Sequence, residues 1–399
     1  MSTSGDGDCS VFSEELIWEI LKWIPVKPLM RLKRVCKLWL SIILNPSFAR
    51  TYQGGFKGLL LTGHESREYT NRDFYYLMLM DGDNDGGLSA FISNHHTMDL
   101  PLVRGTRSTG PVNGLVCLYH GEFSCLYNIA TRESLVLPVP MLRFNSCEYY
   151  LGFDPSNKLY KVLKTSPIYR RGLGLSFLHN LDSEILTIGV DWSWRRIDPA
   201  PWELRSLGYC KDGVLYWDEE GTRTMKTGRH LLSFDLAREK FELVDKPEEK
   251  VYCALLSGPK IALVSYYRPP IHTKLITLLC YNDDHLVGNG KQASLSMGNW
   301  TKHEFDASTS EELSSFRAVS TLPNGNVILI HKFAWRWNSL VPVPFYIYHQ
   351  TKMELKKCFI SQCPSPSIVQ RHIDDRHRFF NASYYEENIT RLRSLGSRV

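Results

Sequence analysis

The stretch FSEELIWEILKWIPVKPLMRLKRVCKLWLSIILNPSFAR, residues 12–50, predicts a compact helical unit at the front of a chain that otherwise has the pattern of strands and turns. Ser13 can cap a first helix, and the acidic residues after it suit the positive N-terminal end. Pro25 ends that helix. Pro28 is suited to the first turn of the next one, because its fixed φ fits there and its missing N–H is not needed. The stretch therefore predicts three short amphipathic helices.

Apolar residues recur at helical spacing through this stretch and end at Asn45-Pro46. The predicted apolar positions are Leu16, Ile17, Ile20, Leu21, Ile24, Leu29, Leu32, Val35, Cys36 and Trp39. A segment of about forty residues is near the size below which chains rarely fold unaided, so part of this core is expected to be completed elsewhere. Two alternatives are open: a partner protein covers the apolar face, or the helices are a cap on the larger domain of the same chain.

The composition is that of a globular protein with one large and one small domain. The chain has 399 residues, 43% of them hydrophobic, and its 47 basic and 42 acidic residues leave a net charge of +5, which is weak evidence for nucleic-acid binding. No run approaches the eighteen apolar residues of a membrane span, and residues 1–11 are polar and predicted to be disordered, without the features of a secretory signal. Ten cysteines without a CxxC pair indicate free thiols in a reducing cytosol or nucleus. Neither nucleic acid nor membrane is predicted as a partner.

Residues 51–365 have the pattern of a large β domain with internal similarity. The segments NGLVCLY (113–119), DGVLYW (212–217) and NGNVILI (324–330) each place a turn dipeptide before a β run. The segments LYNIATRE (126–133), LSFDLARE (232–239) and FYIYHQTK (345–352) follow them as second strands with a turn. Half the spacing between the glycines of these turns is about fifty residues, which is typical of a kelch-type propeller blade.

Further strand starts near 57, 160 and 260 fill the missing positions and bring the number of predicted sheets to six. A six-bladed kelch-like β-propeller, or a related closed all-β fold, is the preferred prediction, since a closed ring protects strand edges. A large β-sandwich with coincidental turn spacing is the alternative. Residues 366–399 are predicted to be a closing segment or a tail.

The residues of the helical stretch also resemble a known family. LI (16–17), EIL (19–21), IPVK (24–27), VCK (35–37), Trp39 and NPSF (45–48) are similar to an F-box, although Phe12-Ser13 stands where the family usually has Leu-Pro. This resemblance implies that residues 12–50 dock a Skp-type adaptor and, through it, the cullin and RING subunits of a ubiquitin ligase. The residues that then form or shape the adaptor contact are Leu16, Ile17, Ile20, Leu21, Ile24, Pro25, Val26, Leu29, Val35 and Trp39. On this basis Leu21→Asp is predicted to abolish adaptor capture.

The β region resembles the F-box-associated domain of plant F-box proteins. The motifs that carry this resemblance, in the family's order, are NGLVCL (113–118), YN (127–128) with ATRE (130–133), LGFDP (151–155), YKV (160–162), SWR (193–195), DGVLYW (212–217), SFDL (233–236) and NWT (299–301). The resemblance implies a kelch-like propeller that binds a protein substrate.

No catalytic, metal or cofactor site is predicted. The run Asp81 to Gly86 begins like a calcium loop, but Ile92 stands where the bidentate Glu should be, so an acidic hairpin tip is the better interpretation. The histidines lack companion ligands at zinc-site spacing. There is no GxSxG elbow, no Walker-type phosphate loop and no GxGxxG motif between a strand and a helix.

Aromatic and arginine residues supply most binding hot spots, so six of them are candidates for substrate binding: Trp194, Arg195, Tyr267, Arg268, Trp335 and Arg336. The structural alternative is that aromatic residues on strands pack between blades.

The sequence thus predicts a non-catalytic substrate receptor of an SCF-type (Skp-cullin-F-box) ubiquitin ligase, located in the cytoplasm, the nucleus or both. The helical unit would bind the adaptor, and the propeller would recruit a protein substrate. The rival hypotheses are a propeller-type glycan-binding module or enzyme with a helical cap, and a scaffold without ubiquitin-ligase activity.

Overall fold

A computed structural model describes most of the chain between residues 12 and 395. The described ranges are 12–55, 57–65, 73–80, 89–97, 106–142, 147–167, 181–201, 204, 208–218, 230–246, 253–256, 258, 260–267, 275–281, 300–306, 316–331, 343–361, 377–392 and 395. The side chains of 61–97 lie outside the described part, as does the acidic run 81–86.

Four short helices form the N-terminal unit: α1 (Glu14–Lys22), α2 (Val26–Leu32), α3 (Lys37–Leu44) and α4 (Pro46–Thr51). The hydroxyl of Ser13 accepts a hydrogen bond from the amide of Leu16 at 3.3 Å, as its predicted capping role requires. α2 begins after Pro25 rather than at Pro28, which still lies within the first turn, where its missing N–H is not needed.

The sequence prediction ended at Asn45-Pro46 and therefore missed α4. Asn45 ends α3, but its side-chain oxygen also accepts a hydrogen bond from the amide of Ser47 at 2.8 Å, so the same residue caps a new helix. Pro46 then occupies the first helical position, where proline is favoured. Phe48 of α4 is fully buried and contacts Trp18 edge-on, with ring centroids 5.1 Å apart.

The strands of the β domain form six four-stranded units in the described residues. Blade 1 comprises β1 (Lys57–Glu65), β2 (Asp73–Met80), β3 (Ser89–Thr97) and β24 (His377–Glu386). Blade 2 comprises β4 (Arg107–Ser108), β5 (Leu115–His120), β6 (Phe123–Asn128) and β7 (Ser134–Val136). Blade 3 comprises β8 (Glu148–Asp154), β9 (Leu159–Pro167), β10 (Leu181–Thr187) and β11 (Arg195–Ala200).

Blade 4 comprises β12 (Tyr209–Lys211), β13 (Val214–Asp218), β14 (His230–Asp235) and β15 (Lys240–Asp245). Blade 5 comprises β16 (Cys253–Leu256), β17 (Ala262–Tyr267), β18 (Leu275–Tyr281) and β19 (Trp300–Asp306). Blade 6 comprises β20 (Phe316–Thr321), β21 (Val327–His331), β22 (Val343–His349) and β23 (Glu354–Ser361). Within each unit, neighbouring strands pair antiparallel.

The units join into a propeller-like ring. β24, from the far end of the chain, pairs antiparallel with β1 and so completes blade 1. β23 of blade 6 also pairs in parallel with β3 of blade 1, which merges these two units into one eight-stranded sheet. A closed arrangement of this kind leaves few unpaired strand edges.

The six strand starts predicted from sequence correspond to β1, β5, β9, β13, β17 and β21, the second strand of each blade. In blades 2 and 4 the predicted turn dipeptides are tight two-residue turns in which both residues have positive φ: 46° and 76° at Asn113-Gly114, and 48° and 84° at Asp212-Gly213. Such turns suit hairpins because their twist matches that of the strands. The predicted all-β architecture with repeating units is confirmed.

Apolar side chains from the inner strands fill the space between blades. Between blades 2 and 3 the buried cluster includes Cys117, Tyr149, Val162 and Trp194, and a second cluster between blades 3 and 4 includes Trp217. The propeller core therefore consists of interfaces between sheets, and it holds each blade in a fixed position.

Candidate adaptor surface and substrate face

The helical unit lies on one face of the β domain. Ile389, which follows β24, and Ala130, in the turn after β6, both pack against its core. We call this side the proximal face and define it by the turns 113–114, 129–133 and 155–158, while the distal face is the opposite one. A cavity of about 650 Å³ between the unit and the β domain is lined by α3 and α4, by proximal turns and by residues 386–391.

An apolar stripe on α1 is exposed to solvent. Leu16, Ile20 and Trp23 are 45%, 48% and 62% exposed, and they recur at spacings of four and three residues, so they share one side of the helix. Phe12, which precedes the N-cap Ser13, is also exposed. Exposed apolar side chains aligned in this way are typical of a surface that another protein covers.

Two more exposed apolar residues, Val35 and Leu40, lie before and within α3. Phe12, Trp23 and Leu40 were not predicted as adaptor residues, because they are not among the predicted apolar positions. Trp23 could have been found, because it lies three residues after Ile20 and seven after Leu16.

The ten predicted adaptor residues divide into three groups. Leu16, Ile20, Pro25 and Val35 are exposed, and Ile24 and Trp39 are half-buried. The remaining four, Ile17, Leu21, Val26 and Leu29, are buried in the core of the helical unit. Leu21→Asp would therefore place a charge in this core, so a loss of adaptor capture by this variant would not identify the docking surface.

The structure describes the side chains of two of the six candidates for substrate binding, Trp194 and Arg195. Trp194 is only 1% exposed; its ring meets Tyr149 at 5.7 Å, and its Nε1 donates a hydrogen bond to the carbonyl of Pro138 at 2.7 Å. It is thus a packing residue between blades, and the structure removes it from the candidate surface. Tyr267 is the last residue of β17, and its side chain, like Arg268, Trp335 and Arg336, lies outside the described residues.

Arg195 is exposed but already engaged in ion pairs. Its guanidinium contacts Asp191 at 3.1 Å and Glu239 of blade 4 at 3.0 Å, and Lys161 reaches the same Glu239 at 2.7 Å. Burial tends to raise the pKa of Glu239, but hydrogen bonds from Arg195 and Lys161 outweigh it and lower that pKa. These ion pairs join blades 3 and 4 on the proximal side, which gives Arg195 a structural role.

The distal face carries a well-anchored apolar loop. The second strand of each blade starts at the proximal turns, so β5 ends on the distal face, and the connection from β7 to β8 lies there as well. In this connection Val139 and Met141 are 56% and 54% exposed. The carboxylate of Glu184 accepts hydrogen bonds from the amides of Met141 (3.0 Å) and Leu142 (3.2 Å).

Glu184 itself is held by Lys164, at 2.8 Å, and both side chains are only 1% exposed. Lys164 also donates to the carbonyl of Leu142. A buried pair whose partners are all satisfied fixes local geometry. β4 and β8 begin on this face, and there Arg107 pairs with Glu148, which also accepts a hydrogen bond from the hydroxyl of Tyr119 at 2.9 Å.

Comparison with known proteins fits this arrangement of domains. The family described as F-box domain matches residues 10–51, and the family described as F-box associated beta propeller domain matches residues 72–268. The chain is an F-box protein with an F-box-associated domain. The match does not establish a kelch-type blade, so that detail of the prediction stays a prediction.

Several relatives of this F-box protein come from Arabidopsis thaliana. Putative F-box protein At5g52610 is 31% identical over 241 residues, which cover 58% of this chain and 61% of that relative, so the alignment spans about three fifths of the relative's length. Putative F-box protein At1g53550 is 24% identical over 420 residues, covering 98% of this chain and 94% of the relative. F-box protein DOR is 27% identical over 350 residues, which cover 84% of this chain and 82% of that relative.

Other kinds of site are not found in the described part of this F-box protein. No group of three or more His, Cys, Asp or Glu side chains there could hold a metal ion. No described helix is long and apolar enough to span a membrane.

Proposed function

We propose that this F-box protein is the substrate-recognition subunit of an SCF-type ubiquitin ligase, acting in the cytosol or nucleus. The exposed stripe of Leu16, Ile20 and Trp23 is the observation that supports the proposal most directly. It is apolar and exposed, and it belongs to the domain whose family docks a Skp-type adaptor. Cullin and RING subunits would join through that adaptor.

The receptor needs no acid, base or nucleophile of its own. Holding a target lysine near a charged ubiquitin carrier raises the effective concentration of the reactants, and the chemistry takes place on other subunits. We therefore expect the purified chain to be catalytically inactive alone.

The distal face is the proposed substrate side. It points away from the F-box, and its described residues include Val139 and Met141 beside the Arg107–Glu148 pair. β17 and β21, the second strands of blades 5 and 6, end on this face at Tyr267 and His331. The substrate is a protein of unspecified identity.

The test of the adaptor surface uses exposed positions, so that the fold is preserved. We expect Leu16→Asp with Ile20→Asp to weaken binding of the full chain to a purified Skp-type adaptor at least about tenfold, because docking would desolvate two unpaired charges. Leu243→Asp on β15 is the matched control, since Leu243 is 53% exposed and lies on the propeller. Unchanged adaptor binding by the double variant, with an unchanged circular dichroism spectrum, would rule out the α1 stripe as the docking site.

A second pair of substitutions separates the receptor from a scaffold. Val139→Asp with Met141→Asp should keep adaptor binding but lose the set of proteins that are ubiquitinated with the wild-type chain, measured by quantitative mass spectrometry. Adaptor binding without any ubiquitinated target would favour the scaffold hypothesis. Ligand binding by the β domain without adaptor binding by the full chain would favour the glycan-binding module.

A further inference from the structure

The segment Glu387–Leu392, which we call the strap, passes between the F-box and blade 2. It follows directly after β24, the strand that closes blade 1. Its two ends are held by blade 2: the side-chain amide of Asn128 donates hydrogen bonds to the carbonyls of Asn388 (2.9 Å) and Thr390 (3.0 Å), and Glu133 accepts one from the amide of Leu392 (2.9 Å). The strap is therefore tied to the propeller by polar contacts on both sides of Ile389.

Ile389 points the other way, into the F-box. It is 2% exposed and belongs to the same buried cluster as Leu21, Leu29 and Phe48. The core of the F-box thus contains a side chain that lies more than three hundred residues away in sequence. This contact answers the question left open by the sequence: the same chain completes part of the core, while the α1 stripe stays exposed for a partner.

The backbone leaves little room for the F-box to move. Gly55 lies against the strap, because a Cβ there would stand 2.6 Å from the carbonyl oxygen of Glu387. Gly114 in blade 2 is equally close, since a Cβ at this position would meet the Cβ of Asn388 at 2.7 Å. Both glycines therefore allow the chain to approach the strap more closely than any side chain would permit.

Two equivalent turns show what is special about Asn128. The turn after β6 in blade 2 and the turn after β14 in blade 4 have the same geometry: Asn128 and Asp235 each accept a backbone hydrogen bond from the residue four positions later, Arg132 (2.8 Å) and Glu239 (2.7 Å). Both of those later residues have positive φ, 62° and 55°. The side-chain oxygens of Asn128 and Asp235 also accept hydrogen bonds from the amides two and three positions later.

An aspartate therefore builds this turn as well as an asparagine does. What Asn128 adds is its NH₂ group, and both of its N–H bonds are used by the strap. The NH₂ group makes no hydrogen bond within the turn itself, so its role lies in holding the strap.

We propose that the strap is a clamp that fixes the F-box on the proximal face, and that Asn128 is the positioning residue that holds the clamp closed. The clamp sets the distance and direction between the α1 stripe and the distal face. In the proposed function a target lysine must reach a ubiquitin carrier across this distance, so the consequence for ubiquitin transfer rests on that proposal. The existence of the clamp does not depend on the proposed function.

The test is Asn128→Asp in the full chain. The carboxylate keeps the turn, as Asp235 shows, but it loses both N–H donors and faces two carbonyl oxygens instead. We expect hydrogen–deuterium exchange at the amides of Thr390 and Leu392 and in α4 to become at least about tenfold faster, and small-angle X-ray scattering to show a wider spread of F-box positions. Exchange in β5 and β6 should stay at the wild-type rate.

Asp235→Asn is the matched control, since it makes the reverse exchange in a turn of the same geometry and is expected to leave the strap and the scattering profile unchanged. If Asn128→Asp disturbs blade 2 itself, the same exchange measurement on Ile389→Ala tests the proposal, because this substitution loosens the clamp from the F-box side and leaves the turn untouched. The proposal would be overturned if hydrogen–deuterium exchange at the strap and in α4 stayed at the wild-type rate in the folded Asn128→Asp chain or in the Ile389→Ala chain.

Adaptor binding separates the two proposals. The Asn128→Asp chain should bind the Skp-type adaptor with a Kd within about twofold of the wild type, while ubiquitin transfer to a bound target slows. Failure of the wild-type chain to bind the adaptor would refute the proposed function and leave the exchange result, and hence the clamp, standing.

Discussion

Blade 3 and the F-box are both compact, but they complete their interiors by different means. Within blade 3 the charged side chains of Lys164 and Glu184 satisfy each other across neighbouring strands. The F-box instead receives Ile389 from a segment that is more than three hundred residues away in sequence. The difference teaches that blade 3 completes this part of its interior with its own side chains, whereas the F-box takes part of its core from the propeller that serves as its platform.

The largest expected effect tests the platform. Lys164→Met should lower the free energy of unfolding by about 3–5 kcal/mol, because it leaves the carboxylate of Glu184 buried without its cation. Chemical denaturation followed by tryptophan fluorescence measures the change. The control is Glu242→Gln, which breaks an exposed pair with Arg238 and should cost less than about 1 kcal/mol.

If Lys164→Met proves as mild as that control, the buried pair does not stabilise blade 3, and the contrast with the F-box fails. The same outcome would also remove the reason to expect a rigid loop at Val139 and Met141.

A smaller effect is expected where blades 3 and 4 meet. Glu239→Gln removes a charged partner from Lys161 and Arg195, and we expect a loss of about 1–3 kcal/mol. Since the pKa of Glu239 is lowered in the folded state, its contribution is present above the unfolded value of about 4.3 and is lost as the pH falls through the folded pKa.

The wild-type chain should therefore lose its advantage over Glu239→Gln as the pH is lowered from 7 to below about 4, as measured by the difference in melting midpoint. A difference that stays constant over this range would show that the ion pairs do not join the two blades energetically.

The smallest effect on stability is expected at the exposed α1 stripe of the F-box. Trp23→Ala should change the free energy of unfolding by no more than about 0.5 kcal/mol, because the side chain is 62% exposed. Adaptor binding should nevertheless weaken, as measured by isothermal titration calorimetry. A large loss of stability would mean that the α1 stripe supports the fold, and that it is not held in reserve for a partner.

Local patterns in the sequence predicted much of the fold. The Ser13 cap, the turns at Asn113-Gly114 and Asp212-Gly213, and the second strand of each blade all depend on residues close together in the chain, so spacing and turn chemistry reveal them. The fourth helix was missed because Asn45 both ends one helix and caps the next, and a proline after it normally indicates a stop.

Contacts between distant segments carried no such signal. Nothing in the sequence near Ile389 marks it as a core residue of the F-box. Likewise, the sequence around Lys164 and Glu184 does not predict that these two side chains will be buried together. Trp192 and Trp194 make the same point at short range: the first is 71% exposed and the second 1%, because only Trp194 enters the space between blades. Trp194 was therefore a wrong candidate for substrate binding, since its exposure depends on how neighbouring blades pack.

The pairing of β24 with β1 has a consequence for the order in which this molecule matures. Synthesis makes the F-box first, yet blade 1 lacks a strand, and the F-box lacks the side chain of Ile389, until residues as late as 392 have been added. A nascent or prematurely terminated polypeptide would thus have an unfinished ring and an incomplete F-box core at the same time. Completion of the F-box core is in this way coupled to completion of the ring.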